Sequence, residues 1–159
     1  MTEGSKHPLR IPDGLNLSPQ VLCHATSLRR ATRRVSLFYD SVLAPCGLRS
    51  TQRSLLRQVA RAQALTLTEL AAILVIDRSA LAQNLKPLER EGLLSIEVDP
   101  ADKRSRLVKL TQAGVDKLFE SQVLWEQAQE AFEAQFGEEQ AHQLRDSLAV
   151  VAGMEFPAS

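Results

Sequence analysis

The sequence predicts a mainly α-helical chain carrying one small β-hairpin. Two observations point there. Only 4% of residues are aromatic although 44% are hydrophobic, and the Leu- and Ala-rich balance favours helices over a β-sandwich. The apolar residues recur at helical spacing over most of the chain, but switch to strict alternation between Gly92 and Thr111.

Taken in order, residues 1–17 read as a flexible arm without the apolar segment of a secretory signal. Ser18-Pro19 has the pattern of an N-cap followed by Pro at the first helical position. Leu28, Val35 and Val42, with Ala31, Phe38 and Tyr39, then line one helix face up to about Ala44. Pro45-Cys46-Gly47 ends it. Ser50 is the expected cap of a second helix reaching about Ala64, with Leu55, Leu56, Val59 and Ala62 as its stripe.

Thr66 and Glu69 have capping-box spacing and open a short helix over about Glu69–Leu74. Asp77 caps the next, about Arg78–Glu91, whose inward positions are Leu81, Leu85 and Leu88 and which ends at Gly92. Pro87 inside it removes one backbone hydrogen bond and is expected to bend it. Two helices so close in sequence must cross steeply to bury both apolar faces, a helix-turn-helix.

Leu94, Ile96 and Val98 then alternate with Ser95 and Glu97. Asp99-Pro100-Ala101-Asp102 marks a turn, and Arg106, Val108 and Leu110 alternate again. A hairpin directly after a helix-turn-helix is a wing. Thr111 starts a helix bearing Leu118, Val123, Leu124 and Ala128. Gly137 interrupts it, and a last helix carries Ala141, Leu144, Leu148 and Val151. The expected organisation is an arm (1–17), an N-terminal helix (18–48), a winged helix-turn-helix domain (49–111) and C-terminal helices (112–156).

The formal net charge is zero, but its distribution is uneven. Residues 15–44 hold four arginines against one aspartate. Residues 45–111 hold eleven Lys and Arg against seven Asp and Glu, and residues 112–159 hold two against nine. A basic front attracts phosphate through counterion release, and an acidic tail faces away from it. Two cysteines are too few for a disulfide framework, so a reducing, cytoplasmic setting is expected. No apolar run approaches the roughly 20 residues that span a bilayer, and no membrane partner is expected.

The stretch Asp102-Lys103-Arg104, followed by Leu107-Val108-Lys109-Leu110-Thr111 and Gly114, resembles the wing of the multiple-antibiotic-resistance regulators, the MarR family. Leu70-Ala71 before Asp77-Arg78-Ser79, and Leu85 through Leu93, support the likeness, which covers about residues 20–150. One departure is the wing tip. The family commonly has a second acid–base pair there, where this chain has Pro100-Ala101 and Ser105-Arg106. The resemblance implies N- and C-terminal helices that pair across a two-fold axis. It also implies a homodimer on a palindromic double-stranded DNA operator, acting as a transcriptional regulator, more commonly a repressor. Release by a small aromatic or anionic effector is implied as well.

Within that frame the second helix of the motif presents Arg78, Ser79, Ala80, Gln83 and Asn84 to base edges. Gln and Asn suit adenine and Arg suits guanine. Lys86 and Arg90 either contact phosphates or pair with Glu89 and Glu91. Lys103, Arg104 and Arg106 suit the minor groove, with Asp102 also placed to hold the Arg104 guanidinium. Thr66 and Thr68 either contact phosphates or cap their helix.

For the effector the candidates are Cys23, His24, Ser27, Arg29, Arg33, Phe38 and Tyr39 on the first helix, where the family's pocket adjoins the winged domain. A cationic, partly apolar pocket suits an aromatic acid, a phenol or an acyl thioester. The alternative is that the arginines form a solvated face, or pair with Glu126, Glu130 and Glu133. A second alternative is redox sensing through Cys23, set against an inert packed cysteine. A third is a winged-helix module for protein contacts. His7, His24 and His142 are scattered, so no metal site is expected. No nucleophile–base pair, Gly-rich phosphate loop or paired carboxylates appear, so neither an enzyme nor a cofactor is expected.

Overall fold

A computed structural model describes residues 12–14 and 23–155, in two compact units, 1–34 and 35–159. The proposed start at Ser18-Pro19 and most of the proposed arm lie outside the described residues. Helix α1 (His24–Leu43) spans the boundary between the units. In the first unit its residues His24 to Arg34 are all exposed, and its first turn is closed by the Ser27 amide donating to the Cys23 carbonyl at 2.9 Å.

The second unit continues through a 3-10 turn (Ala44–Cys46), where Pro45 stops α1, into α2 (Ser50–Ala62). Then come β1 (Ala64–Thr66), α3 (Leu67–Leu74), α4 (Arg78–Arg90), β2 (Leu94–Val98), β3 (Arg106–Leu110), α5 (Gln112–Phe136) and α6 (Glu138–Ala152). The strands form one antiparallel sheet in the order β1-β3-β2. Val108 is central, opposite Leu65 on one side and Ile96 on the other.

The core lies in the winged unit. Leu43, Leu56, Val59, Leu70, Leu81, Leu85, Leu88 and Val108 are fully buried. Each such side chain contributes about 1.5–3 kcal/mol, so this cluster holds α3 and α4 at a fixed crossing. The expected inward leucines of α4 are thus where the stripe placed them.

Several local expectations are corrected. Ser50 does not cap α2; Arg49 is the flanking residue and Ser50 is the first helical one. The Asp40 carboxylate reaches from α1 and accepts both the Ser50 amide (2.7 Å) and the Ser50 hydroxyl (2.6 Å). An ionised acceptor is a stronger cap than a serine hydroxyl. Helix α2 stops at Ala62, because Gln63 turns the chain at φ 65° and frees Ala64–Thr66 to pair with β3. This third strand was missed because its three residues are too short for a period to show. Helix α3 starts at Leu67, two residues before the expected Glu69, since a capping box on Thr66 places residues 67–69 in the first turn.

Helix α4 runs through Pro87 to Arg90, as its expected span implied, and the Glu91 amide donates to the Pro87 carbonyl at 3.0 Å. Gly92 then takes φ 70°, a left-handed conformation that a side chain disfavours. Gly114 has a different reason. A Cβ there would fall on the Leu93 carbonyl oxygen and lie 2.8 Å from Leu110 Cδ2. The glycine lets α5 begin directly against the start of β2. Thr111 fastens the same junction, its hydroxyl donating to the Gly92 carbonyl at 2.6 Å and accepting the Gly114 amide at 3.1 Å.

Candidate nucleic-acid interface and adjoining cavities

The turn between α3 and α4 is three residues, Val75–Asp77. Val75 closes α3 in the left-handed region at φ 54°, an uncommon conformation for a β-branched residue. The Ile76 amide returns to the Ala71 carbonyl at 3.1 Å. Asp77 Oδ1 then accepts the Ala80 amide at 2.8 Å, capping α4 as its spacing predicted. On α4, Arg78, Ser79, Gln83, Asn84, Lys86 and Arg90 are exposed and Ala80 is half-buried. Lys86 Nζ lies 3.3 Å from Gln83 Oε1, and neither Lys86 nor Arg90 forms an ion pair among the described residues.

Thr66 is committed to its cap. Its hydroxyl accepts the Glu69 amide at 3.1 Å and donates to Glu69 Oε2 at 2.8 Å. The Thr66 amide, donating to Glu69 Oε2 at 2.8 Å, and then the Thr66 hydroxyl hold the Glu69 carboxyl below the usual carboxylate range. Thr68, one turn position on, is exposed.

The wing tip is built by aspartates on backbone amides. Asp99 Oδ1 accepts the Ala101 amide at 2.8 Å, and Asp102 Oδ1 accepts the Arg104 amide at 3.0 Å. The expected grip of Asp102 on the Arg104 guanidinium is corrected by this. The carboxylate fixes the turn through the nearer main-chain donor, two residues on, as in an Asx turn. Lys103, Arg104 and Arg106 are exposed and make no ion pair among the described residues. Further down the hairpin, Lys109 pairs with Glu97 at 2.9 Å, which with Ser95 lowers the Glu97 carboxyl.

Of the effector candidates, Cys23, His24, Ser27, Arg29 and Arg33 lie in the first unit and are exposed. The Cys23 thiol is held below its ordinary value, first by the Thr26 amide and hydroxyl, then by the Ala25 amide, with a smaller effect from the Arg29 charge. Phe38 and Tyr39, in the second unit, are half-buried and meet edge to face at 5.5 Å.

Tyr39 stands between two cavities of the second unit. One, of about 240 Å³, lies among α1, α5 and α6 and is lined by Val35, Tyr39, Gln129, Phe132, Glu133, Ala141, Leu144, Arg145 and Leu148. Here the Tyr39 hydroxyl donates to Gln129 Oε1, and Arg145 lies 3.9 Å from Glu133. Burial, and then the Glu133 charge, push the Tyr39 phenol up.

The other, of about 120 Å³, is lined by Tyr39, Leu43, Ser50, Arg53, Ser54, Arg57 and Trp125. Arg53 is only 4% exposed. Its Nε donates to Ser121 Oγ at 3.0 Å and its NH2 to Gln122 Oε1 at 2.7 Å, and its guanidinium lies 4.6 Å from the Trp125 ring centre. No carboxylate pairs with it among the described residues. Burial, and then the Arg57 charge, lower the Arg53 pKa. A third cavity, of about 420 Å³, opens beside α4, with Arg49, Thr51 and Gln52 on one side and Gln83, Asn84 and Pro87 on the other.

Sequence reasoning missed Arg49, Arg53, Arg57, Trp125 and Gln129. A signal was present for Arg53, which falls on the stripe of Leu56 and so carries a charge where an apolar residue belongs.

A family model described as the MarR family matches residues 47–105. The transcriptional regulator MosR of Mycobacterium tuberculosis, solved in complex with DNA, is 31% identical. The match covers 82% of this chain and 94% of that one with a TM-score of 0.75. The chain belongs to the MarR family. The MarR-family fold is also matched by a mutant MarR from E. coli complexed with operator DNA, at 22% identity, 86% and 98% coverage and a TM-score of 0.76. CouR from Rhodococcus jostii RHA1, bound to p-coumaroyl-CoA, is matched at 22% identity, 84% and 94% coverage and a TM-score of 0.70. Among curated protein sequences none matches. As a MarR-family chain it is a transcriptional regulator. No described helix is long and apolar enough to cross a membrane.

Proposed function

We propose that this MarR-family chain is a sequence-specific DNA-binding repressor that acts as a homodimer and is released by a small anionic, aromatic effector. The observation that carries the DNA reading is the exposed outer face of α4 beside an unpaired cationic wing tip. In this reading Arg78, Ser79, Ala80, Gln83 and Asn84 face base edges. Lys86 and Thr68 flank the phosphates, Thr66 fixes the start of α3 beside them, and Lys103, Arg104 and Arg106 reach the minor groove. That MosR, 31% identical, was solved with DNA supports it. The test is a gel shift against the chain's own upstream region with a salt titration. Arg104→Ala should weaken binding across sequences, whereas Gln83→Ala should relax base preference. Equal operator binding by both variants and wild type would contradict the assignment.

The dimer reading rests on apolar side chains of α5 and α6 left in solvent by a single copy: Val123, Leu144, Leu148 and Val151 are 60%, 37%, 42% and 39% exposed. Sedimentation at micromolar concentration tests it, a monomer being the adverse result.

The effector reading rests on Arg53. A buried cation without a carboxylate is costly, and the cavity beside it adds Arg57, the Ser54 hydroxyl and the Trp125 ring. An aromatic carboxylate would supply the missing charge and a ring. The p-coumaroyl-CoA bound by CouR carries a comparable ring, with its charge on the CoA phosphates and not on the acyl group. Calorimetry with benzoate, 4-hydroxybenzoate, aromatic acyl-CoA thioesters and neutral phenols decides it. Binding by no anion would sink this part.

A second control is favoured by one observation, the lowered and exposed Cys23 thiol. Thiolate character makes a cysteine oxidisable. If low peroxide leaves operator binding of wild type and Cys23→Ser alike, redox control is excluded.

A further inference from the structure

The largest of the three cavities adjoins the reading helix, and its far wall belongs to α2. Gln83 and Asn84 form one side, and Arg49, Thr51 and Gln52 form the other. No carboxylate lines it, and Arg49 is its one charged residue. Arg49 is exposed and makes no ion pair among the described residues.

We infer that Arg49, assisted by the Thr51 hydroxyl, holds a phosphate of the DNA strand that flanks α4, which makes the first turn of α2 part of the DNA interface. The inference rests on the DNA-binding reading and adds a contact to it. An α-helix with its side chains is about 10–12 Å across, and the major groove is about 12 Å wide. A helix that fills the groove therefore has a sugar–phosphate strand along each flank. The channel between Gln83 and Arg49 is the space such a strand would enter.

Ser50 gives its amide and hydroxyl to Asp40, and the Gln52 side-chain oxygen accepts the Arg49 amide at 2.9 Å. The second bond fixes the backbone of Arg49 and leaves its guanidinium free. A guanidinium matches a phosphate with two parallel hydrogen bonds.

The test uses the full-length protein, its operator duplex and a scrambled duplex, with binding followed across a salt series. Arg49→Ala should lower affinity about tenfold for both duplexes. The plot of log affinity against log salt should become shallower by about 0.9 per contact, or about 1.8 for a dimer. Arg49→Lys should restore most of that slope. Melting temperatures should agree among the three proteins, because Arg49 is exposed. A wild-type slope in Arg49→Ala, with wild-type affinity, overturns the inference while leaving the DNA reading intact. Failure of wild type itself to bind either duplex overturns both.

Discussion

Replacing Arg53 separates what this buried cation does for stability from what it offers a ligand. It makes two charge-assisted hydrogen bonds, to Ser121 and Gln122, and stacks on Trp125. Bonds of that kind contribute about 1.5–3 kcal/mol each, and a desolvated cation–π contact about 2 kcal/mol. Against them stands desolvation, several kcal/mol for an ion taken out of water. The two sides nearly offset, leaving about 1 kcal/mol in favour of the cation. Arg53→Ala also removes two stem methylenes worth about 0.8 kcal/mol each. Neither partner is stranded, because Ser121 still donates to the Leu118 carbonyl at 2.7 Å and Gln122 still donates to Glu126. Arg53→Ala should therefore cost about 2–3 kcal/mol, a fall of roughly 4–12 °C in melting temperature. Arg53→Met keeps the stem and should cost about 1 kcal/mol or less. Melting curves should be recorded with and without benzoate. Benzoate at a hundred times its dissociation constant would stabilise wild type by about 2.7 kcal/mol and should stabilise neither variant. If Arg53→Met melts as low as Arg53→Ala, the polar contacts outweigh desolvation and the reasoning fails. If benzoate raises Arg53→Met as much as wild type, the guanidinium is not the anion's partner.

The remaining predictions concern the backbone and Cys23. Gly114→Ala drives a methyl onto the Leu93 carbonyl, a main-chain atom that cannot rotate away, so it should cost about 3 kcal/mol and lower the melting temperature by about 6–12 °C; a change within 2 °C (~0.5–1 kcal/mol) would refute the packing account. Val75→Gly relieves a left-handed β-branched residue, and after glycine's own entropic cost it should gain about 0.5–1 kcal/mol in thermal melts; a lowered melting temperature would show that Val75 is unstrained. Cys23, whose thiol is held below its ordinary value by Thr26 and Ala25, should react with iodoacetamide along a pH curve shifted to lower pH, and Thr26→Ala should move that curve back up. The linked stability has a definite sign: the thiolate contacts are fully present above the unfolded thiol pKa and are lost as pH falls through the lowered folded value. An unshifted curve would remove the basis for redox control.

How far the sequence could be read depends on how local each signal is. Asp77 and Thr66 cap their helices through bonds to residues three positions on, so spacing alone revealed both. The hairpin itself followed from period and turn residues, and its strands β2 and β3 pair from Leu94–Leu110 to Val98–Arg106. Features made between distant segments were not legible. Asp40 takes over the cap that Ser50 was expected to supply, ten residues away. Strand β1 exists only because β3 is beside it, and the Arg53 cluster joins residues 68 and 69 positions apart. The Asp102 carboxylate misled in the other direction. Charge pairing suggested the Arg104 side chain, whereas the closer backbone donor took the bond.

The same distinction explains why the C-terminal helices fit their apolar pattern less well than the winged unit does. On α4 the pattern and the burial agree, because α3 and the sheet lie within the same chain and cover Leu81, Leu85 and Leu88 completely. On α5 and α6 the stripe is present, yet only Ala128 and Ala141 are buried among its expected members, while Leu144, Leu148 and Val151 remain more than a third exposed. Side chains repeating at helical spacing that the described residues leave exposed are what a symmetric partner would cover in the proposed dimer. Alternation and capping describe a fold closed by one chain. Where the stripe outruns the burial, the proposed dimer has its candidate surface, and a monomer in sedimentation would refute that assignment.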